Sequence, residues 1–132
     1  MPHAEAQLDG PAVLVVEDEF LIAMDLQDLL ERNGWRVLGP AMTVPEALRL
    51  LDGTPPDVAL LDVSLRRQLV TPVVERLRAQ GVPFVLATAY DGLQLAAMGL
   101  DGAVQVTKPF HAQRLLGALA RVLAGARKGE GS

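Results

Sequence analysis

Hydrophobic positions along this chain follow two rhythms. Five short runs are apolar throughout or nearly so: Ala12-Val13-Leu14-Val15-Val16, Trp35 to Leu38, Val58-Ala59-Leu60-Leu61, Pro83-Phe84-Val85-Leu86-Ala87 and Ala103 to Val106. Such runs fit strands buried on both faces by helices, as in a parallel sheet, although a buried helix segment can share the pattern. Between them, apolar residues recur every three or four positions. Ile22, Leu26 and Leu29, with Ala23 and Leu30 beside them, oppose Asp25, Asp28, Glu31 and Arg32, and Asn33-Gly34 closes the segment. That is an amphipathic helix with its stop signal. Gly39-Pro40 is expected to stop the second strand. Thr43-Val44-Pro45-Glu46 has the capping-box spacing, with Ala47, Leu48 and Leu51 as the apolar stripe of a helix ending near Gly53. Thr71 is an expected N-cap with Pro72 at the first helical position, and Val73, Val74 and Leu77 form the inner face up to Gly81. Ala89 to Asp101 carries leucines but two internal glycines, which predicts a short helix at most. Leu115, Leu116, Leu119, Val122 and Leu123 mark a last amphipathic helix.

Strand and helix thus alternate five times, at intervals of about 25 residues, which predicts an α/β fold. The expected architecture is one doubly wound, five-stranded parallel sheet with helices on both faces and right-handed crossovers. Residues 1–10 read as a flexible lead-in, 11–124 as the domain and 125–132 as a polar tail. A chain of 132 residues is large enough for one self-sufficient core. Half of it is hydrophobic and 21% charged, which excludes disorder as its default state. It has no cysteine, so disulfides and thiolate metal sites are excluded. A net charge of −4 without a basic cluster argues against autonomous nucleic-acid binding. No apolar run approaches the roughly 18 residues of a membrane span, and the N-terminus lacks the pattern of a signal peptide. The expectation is a cytoplasmic protein. The twelve basic residues include two lysines, Lys108 and Lys128.

Four of the five strands end, on their C-terminal side, in polar side chains: Glu17 and Asp18, Asp62, Thr88, and Lys108. In open α/β sheets that edge is where ligands bind. Each residue singly has a plain structural reading, as an acidic first helical turn, a cap, a strand end or a solvated turn. Together they make a crevice of carboxylates whose repulsion a hard divalent cation, an ammonium or a raised pKa can relieve. Magnesium uses one or two carboxylates and keeps positions open for phosphate oxygens. An aspartate can act as nucleophile toward phosphorus, and lysine can neutralise the transferred group.

The constellation resembles the receiver domain of two-component response regulators, over about residues 11 to 124. The motifs that carry the resemblance are the acidic pair Glu17-Asp18, Asp62 after an apolar strand, Thr88-Ala89 and Lys108-Pro109-Phe110. The resemblance implies a CheY-like, flavodoxin-like sheet of strand order 2-1-3-4-5. It implies Asp62 as acceptor of a phosphoryl group from a histidine kinase or phosphotransfer protein. Mg2+ would be held by Asp18, Asp62 and the backbone carbonyl of Ser64, with Glu17 acting through bound water. Thr88 and Lys108 would contact the phosphoryl oxygens. Many receivers carry an aromatic switch residue three positions before the lysine, where this chain has Gln105. Pro83 to Tyr90 is instead similar to the Pro-Phe-x-Phe-Ala-Thr-Gly-Tyr signature of the FATGUY subgroup, with Leu86 and Ala89 differing. That likeness implies a kinase of the HWE type or a relative, and makes Thr88, Tyr90 and Gln105 the switch candidates.

The expected function is a phosphorylation-dependent switch without an output domain, catalysing no reaction but its own phosphorylation and dephosphorylation. The message would pass to a protein partner, from a monomer or weak homodimer, through residues 91–105 and the final helix. A phosphate store or sink for a kinase, or the receiver module of a hybrid kinase, are the alternatives, with the Met1 start and the polar tail favouring a whole small protein. A magnesium-dependent phosphatase is a further class, opposed by the lack of a second acid or base motif and of a cap insertion. A receiver-like scaffold that is never phosphorylated would not need the complete acidic, acceptor and lysine set.

Overall fold

A computed structural model describes residues 10–63, 69–88, 92–100, 102–108 and 110–131. The strands are β1 (Ala12–Val16), β2 (Arg36–Ala41), β3 (Val58–Asp62), β4 (Phe84–Thr88) and β5 (Val104–Thr107). The helices are α1 (Phe20–Arg32), α2 (Val44–Leu51), α3 (Thr71–Gln80), α4 (Gly92–Ala97) and α5 (Ala112–Gly131). All strand pairs are parallel, in the order β2-β1-β3-β4-β5. This is the sheet expected from the alternation of apolar runs.

Side chains alternate across a strand, and both sides of this sheet are apolar. Val13, Val15, Val58, Leu60, Val85, Ala87 and Val106 face one way, against Leu26 and Leu30 of α1 and Leu115, Ala118 and Leu119 of α5. Leu14, Val16, Ala59, Leu61 and Leu86 face the other way, against Ala47 and Leu51 of α2, Val73, Val74 and Leu77 of α3 and Leu95 of α4. Two cores therefore share one sheet, and β1 and β3 contribute to both along most of their length.

Local signals set most of the element ends. The Thr43 hydroxyl accepts the Glu46 N–H at 3.2 Å, while the Glu46 carboxylate returns to the Met42 N–H at 2.8 Å, one residue earlier than a strict capping box. Helix α3 starts one residue before expectation: Val70 caps it, Thr71 is already helical and Pro72 follows in the first turn. Gly81 ends it at φ 71°, a left-handed conformation that glycine adopts without a Cβ penalty. Helix α4 is six residues long, the short helix predicted there.

Two expectations are corrected. β2 does not stop at Gly39-Pro40 but runs through it to Ala41, with a cis Gly39–Pro40 bond. An edge strand tolerates a proline because one of its hydrogen-bonding sides has no neighbour. The pairing with β1 shifts register between Leu14 and Val16, and Gly39, at φ 98°, comes so close to its surroundings that a Cβ would lie 2.6 Å from the Ala41 nitrogen. Secondly, the stretch from Gly125 expected as a polar tail continues α5 as far as Gly131. Its alanine, arginine, lysine and glutamate are good helix formers, and propagating an existing helix is far easier than nucleating one. None of the helices among the described residues is long and apolar enough to cross a membrane.

Candidate functional site

The parity of the strands explains how the polar strand ends converge. Asp62 continues the series Val58, Leu60; Glu17 continues Val13, Val15; Lys108 continues Val106. All three side chains therefore leave the sheet toward the α1 and α5 side, from three different strands. Thr88 continues the Leu86 series and belongs to the opposite side. This parity was available in the sequence once the strands were placed.

The lysine ammonium closes the cluster. Lys108 Nζ lies 3.0 Å from Asp62 Oδ1 and 3.8 Å from Glu17 Oε1. Asp62 is 3% exposed and Glu17 1%, against 25% for the lysine side chain, so the cation reaches in from the rim over two buried acids. Backbone pairing holds the strand ends in place. The Lys108 N–H donates to the Thr88 carbonyl at 3.1 Å, and the Val63 N–H to that of Ala87 at 3.1 Å. The Glu17 N–H donates to the Ala41 carbonyl at 2.9 Å, which ties the acidic turn to the end of β2. Helix α1 begins at Phe20 without a side-chain cap. Instead the Glu17 carboxylate accepts the Glu19 N–H at 3.1 Å through Oε2.

The other oxygen, Glu17 Oε1, is buried and has no hydrogen-bond partner. Burial pushes the Glu17 carboxyl from 4.5 up to about 7, opposed by the Glu19 amide, with the neighbouring Asp62 adding to the rise and Lys108 reducing it. An unpartnered buried carboxylate oxygen is costly unless another ligand satisfies it. Glu17, Asp18 and Asp62 each offer one carboxylate oxygen within 4.8 Å of the other two. A hard divalent cation with an oxygen preference fits this donor set, and it would satisfy Glu17 Oε1.

Of the residues named from sequence, Glu17, Asp18, Asp62 and Lys108 meet in one crevice, and Thr88 lies buried at the end of β4 beside it. Gln105 is elsewhere: it is exposed on β5 and lines a groove shared with α5. Ser64 and Tyr90 lie outside the described residues, as do Ala89 and Pro109. One feature went unmarked in the sequence reading. Phe20 and Leu21, directly after the acidic turn, are 60% and 77% exposed. Next to them in α1 begins a mostly apolar hollow of about 570 Å³ between α1 and the start of α5, lined by Ile22, Leu26, Leu29, Phe110 and Ala112 together with the charged Asp25 and Lys108. The signal was there: Phe20 and Leu21 fall off the stripe set by Ile22, Leu26 and Leu29.

Residues 13–120 match the family described as the response regulator receiver domain. The chain belongs to that family. This receiver is 31% identical over 122 residues to the transcriptional regulatory protein PdtaR of Mycobacterium tuberculosis, covering 89% of this chain and 60% of that protein. Its fold superposes on the response regulator PhyR from Brucella abortus with a TM-score of 0.81, at 27% identity, over 98% of this chain and 56% of that one. It superposes on the PhyR receiver domain of Erythrobacter litoralis with a TM-score of 0.76, at 29% identity, over 88% and 92% of the two chains. The receiver therefore spans less than two thirds of the length of the longer proteins it matches.

Proposed function

We propose that this receiver takes a phosphoryl group on Asp62 from a phosphohistidine of a histidine kinase or phosphotransfer protein. The observation that carries the reading is the 3.0 Å approach of the Lys108 ammonium to a buried acceptor carboxylate inside a three-carboxylate crevice. In the transfer, an Asp62 oxygen forms the new bond to phosphorus while the phosphorus–nitrogen bond of the donor breaks, and the departing imidazole takes up a proton. Phosphoryl transfer asks mainly for positioning and charge neutralisation. Lys108 supplies one positive charge beside the acceptor, and Thr88, whose parity sets it on the other side of the sheet, would turn its hydroxyl over the end of β4 to donate a hydrogen bond to the product. Glu17, Asp18 and Asp62 would hold a magnesium ion, which would neutralise the phosphoryl oxygens; the Ser64 carbonyl is the further ligand that family likeness implies.

The exposed Phe20 and Leu21 and the apolar hollow beside Lys108 support docking of the donor protein on the α1 side, next to the chemistry. The FATGUY likeness makes an HWE-type kinase the favoured donor. On this reading the chain catalyses only its own phosphorylation and dephosphorylation, in the cytoplasm. The response passes from Thr88 and Lys108 into β5, α4 and α5, and Tyr90 takes part in it.

The test is a titration with beryllofluoride, which mimics the bound phosphoryl group, followed by backbone amide NMR with and without magnesium. The reading expects magnesium-dependent shifts at Asp62, Thr88 and Lys108 that extend into β5 and are absent in Asp62→Asn. Shifts confined to the crevice would make the domain a phosphate store. An unchanged spectrum, or one that moves equally in Asp62→Asn, would remove the acceptor role.

A further inference from the structure

The two outer strands of the sheet meet solvent in different ways. β2 carries Arg36, a positive-φ glycine, a proline without an N–H and a register break. Devices of this kind keep a foreign strand from pairing. β5 has none of them. Its residues Val104-Gln105-Val106-Thr107 include no charge and no proline, three of the four are exposed, and its pairing with β4 runs without a break. Among the described residues no strand lies beyond it.

A groove of about 410 Å³ runs beside this strand, and Gln105, Val106 and Thr107 of β5 and Arg114, Gly117 and Arg121 of α5 line it. Successive strand residues point to opposite faces, so a hollow touched by three in a row follows the strand's edge rather than one of its faces. Arg114 and Arg121 stand two helical turns apart, about 10 Å along α5. Both are exposed, neither pairs with an acid among the described residues, and His111 adds a third basic side chain near one end. Among the described residues no carboxylate lines the groove, although the whole chain has a net charge of −4. Between the arginines Gly117 leaves the floor low, with nothing within 4 Å of where a Cβ would be.

We propose that this groove binds an acidic, extended segment of a partner protein as a sixth strand. Its backbone pairs with the open edge of β5, and its carboxylates reach Arg114 and Arg121. Main-chain pairing supplies affinity in strand addition, and charge selects the sequence that adds. A nucleic-acid backbone is a poorer match, because two arginines and a histidine make a narrow basic strip on an otherwise acidic molecule. The groove lies on β5 and α5, the elements into which the proposed response passes, and the segment names the chemistry of a partner for them; the binding test uses no phosphodonor, so its failure is distinguishable from failure of the acceptor role of Asp62.

The test uses the whole chain and a fluorescein-labelled peptide of alternating glutamate and valine or threonine, followed by anisotropy and amide NMR. Binding is expected to shift Gln105, Val106 and Thr107. It should weaken at least about tenfold in Arg114→Glu/Arg121→Glu, a doubly exposed change that leaves the melting temperature in place. It should be lost when alternate peptide nitrogens are methylated, which removes backbone donors and keeps the charge. No binding below about 1 mM would overturn the proposal. So would an unchanged affinity in the double variant, equal binding of the methylated peptide, or equal binding of a single-stranded oligonucleotide. Concentration-dependent shifts at Gln105 to Thr107 without peptide, at the expense of peptide binding, would give the edge to a second copy of the chain and overturn the acidic segment as occupant.

Discussion

The inner and outer parts of the sheet are built to different standards. β1 and β3 are covered on both faces, and every residue of β3 from Val58 to Asp62 is buried. β5 has one buried residue, Val106, and the helix before it is six residues long. The inner strands hold the acids Glu17 and Asp62, and the outer strand brings the lysine. Fixed anions thus face a cation on the least anchored strand. Charge added at the crevice can then move the outer part while the inner part keeps its geometry, because bistable response needs an element of low local stability.

The largest test of this division is chemical. Asp62→Asn is expected to lose labelling by acetyl phosphate altogether while keeping its fold, as read by phosphate-affinity electrophoresis and circular dichroism; persistent labelling would move the acceptor elsewhere. Next comes packing. Leu60→Ala, in the middle of β3, should cost about 2–5 kcal/mol in urea unfolding. An equal loss from Val104→Ala, on a residue 38% exposed, would erase the contrast between the two regions.

Lys108→Ala removes the bridge between them. The expected result is phosphorylation slowed by about 10- to 100-fold, since one charge-neutralising group near the transferred oxygens is gone. A smaller loss of stability accompanies it, because the lysine is partly solvated and its pairing is screened. Single-turnover labelling by acetyl phosphate reads the first effect, and an unchanged rate would take Lys108 out of the chemistry.

The smallest effect concerns Glu17, the buried acid with one oxygen that accepts no hydrogen bond. Glu17 holds its proton to about 7 in the folded protein, against 4.5 for the free group. Between those values the native state binds more protons than the unfolded chain, so stability falls as pH rises from about 4.5 to about 7, and the cost persists above. In magnesium-free buffer the melting temperature should therefore decline across that window, and Glu17→Gln should flatten the decline and raise the melting temperature at about pH 8. The same variant should weaken magnesium stabilisation. A pH profile identical to wild type would show that Glu17 is not the group carrying the proton.

Legibility in the sequence follows the same division. The inner strands announce themselves as apolar runs because both of their faces are buried, and the carboxylates after the β1 and β3 runs mark the crevice. Thr43, Pro72 and Gly81 locate helix ends through local chemistry that needs no tertiary context. The path of β2 through Gly39-Pro40 was hidden, because edge position decides whether a proline ends a strand. The extension of α5 was hidden as well, since Gly125 and its polar neighbours resemble a tail until a preceding helix propagates through them. Gln105 could be seen as the wrong residue for an aromatic switch. That it faces a groove with α5 depends on the register of β5 against β4, which the four-residue run does not reveal. The convergence of Glu17, Asp62 and Lys108 on one side was implicit in strand parity.

The broken edge of β2 has a consequence for how copies of this molecule can accumulate. A polymer grows only from units with two reactive ends, and in strand-to-strand joining those ends are the two margins of the sheet. Pro40, which has no N–H to offer, and the register break after Leu14 interrupt one margin. Among the described residues the sheet is in that sense close to monofunctional: two copies joined through β5 present only the interrupted β2 edges, which disfavours growth into a fibre.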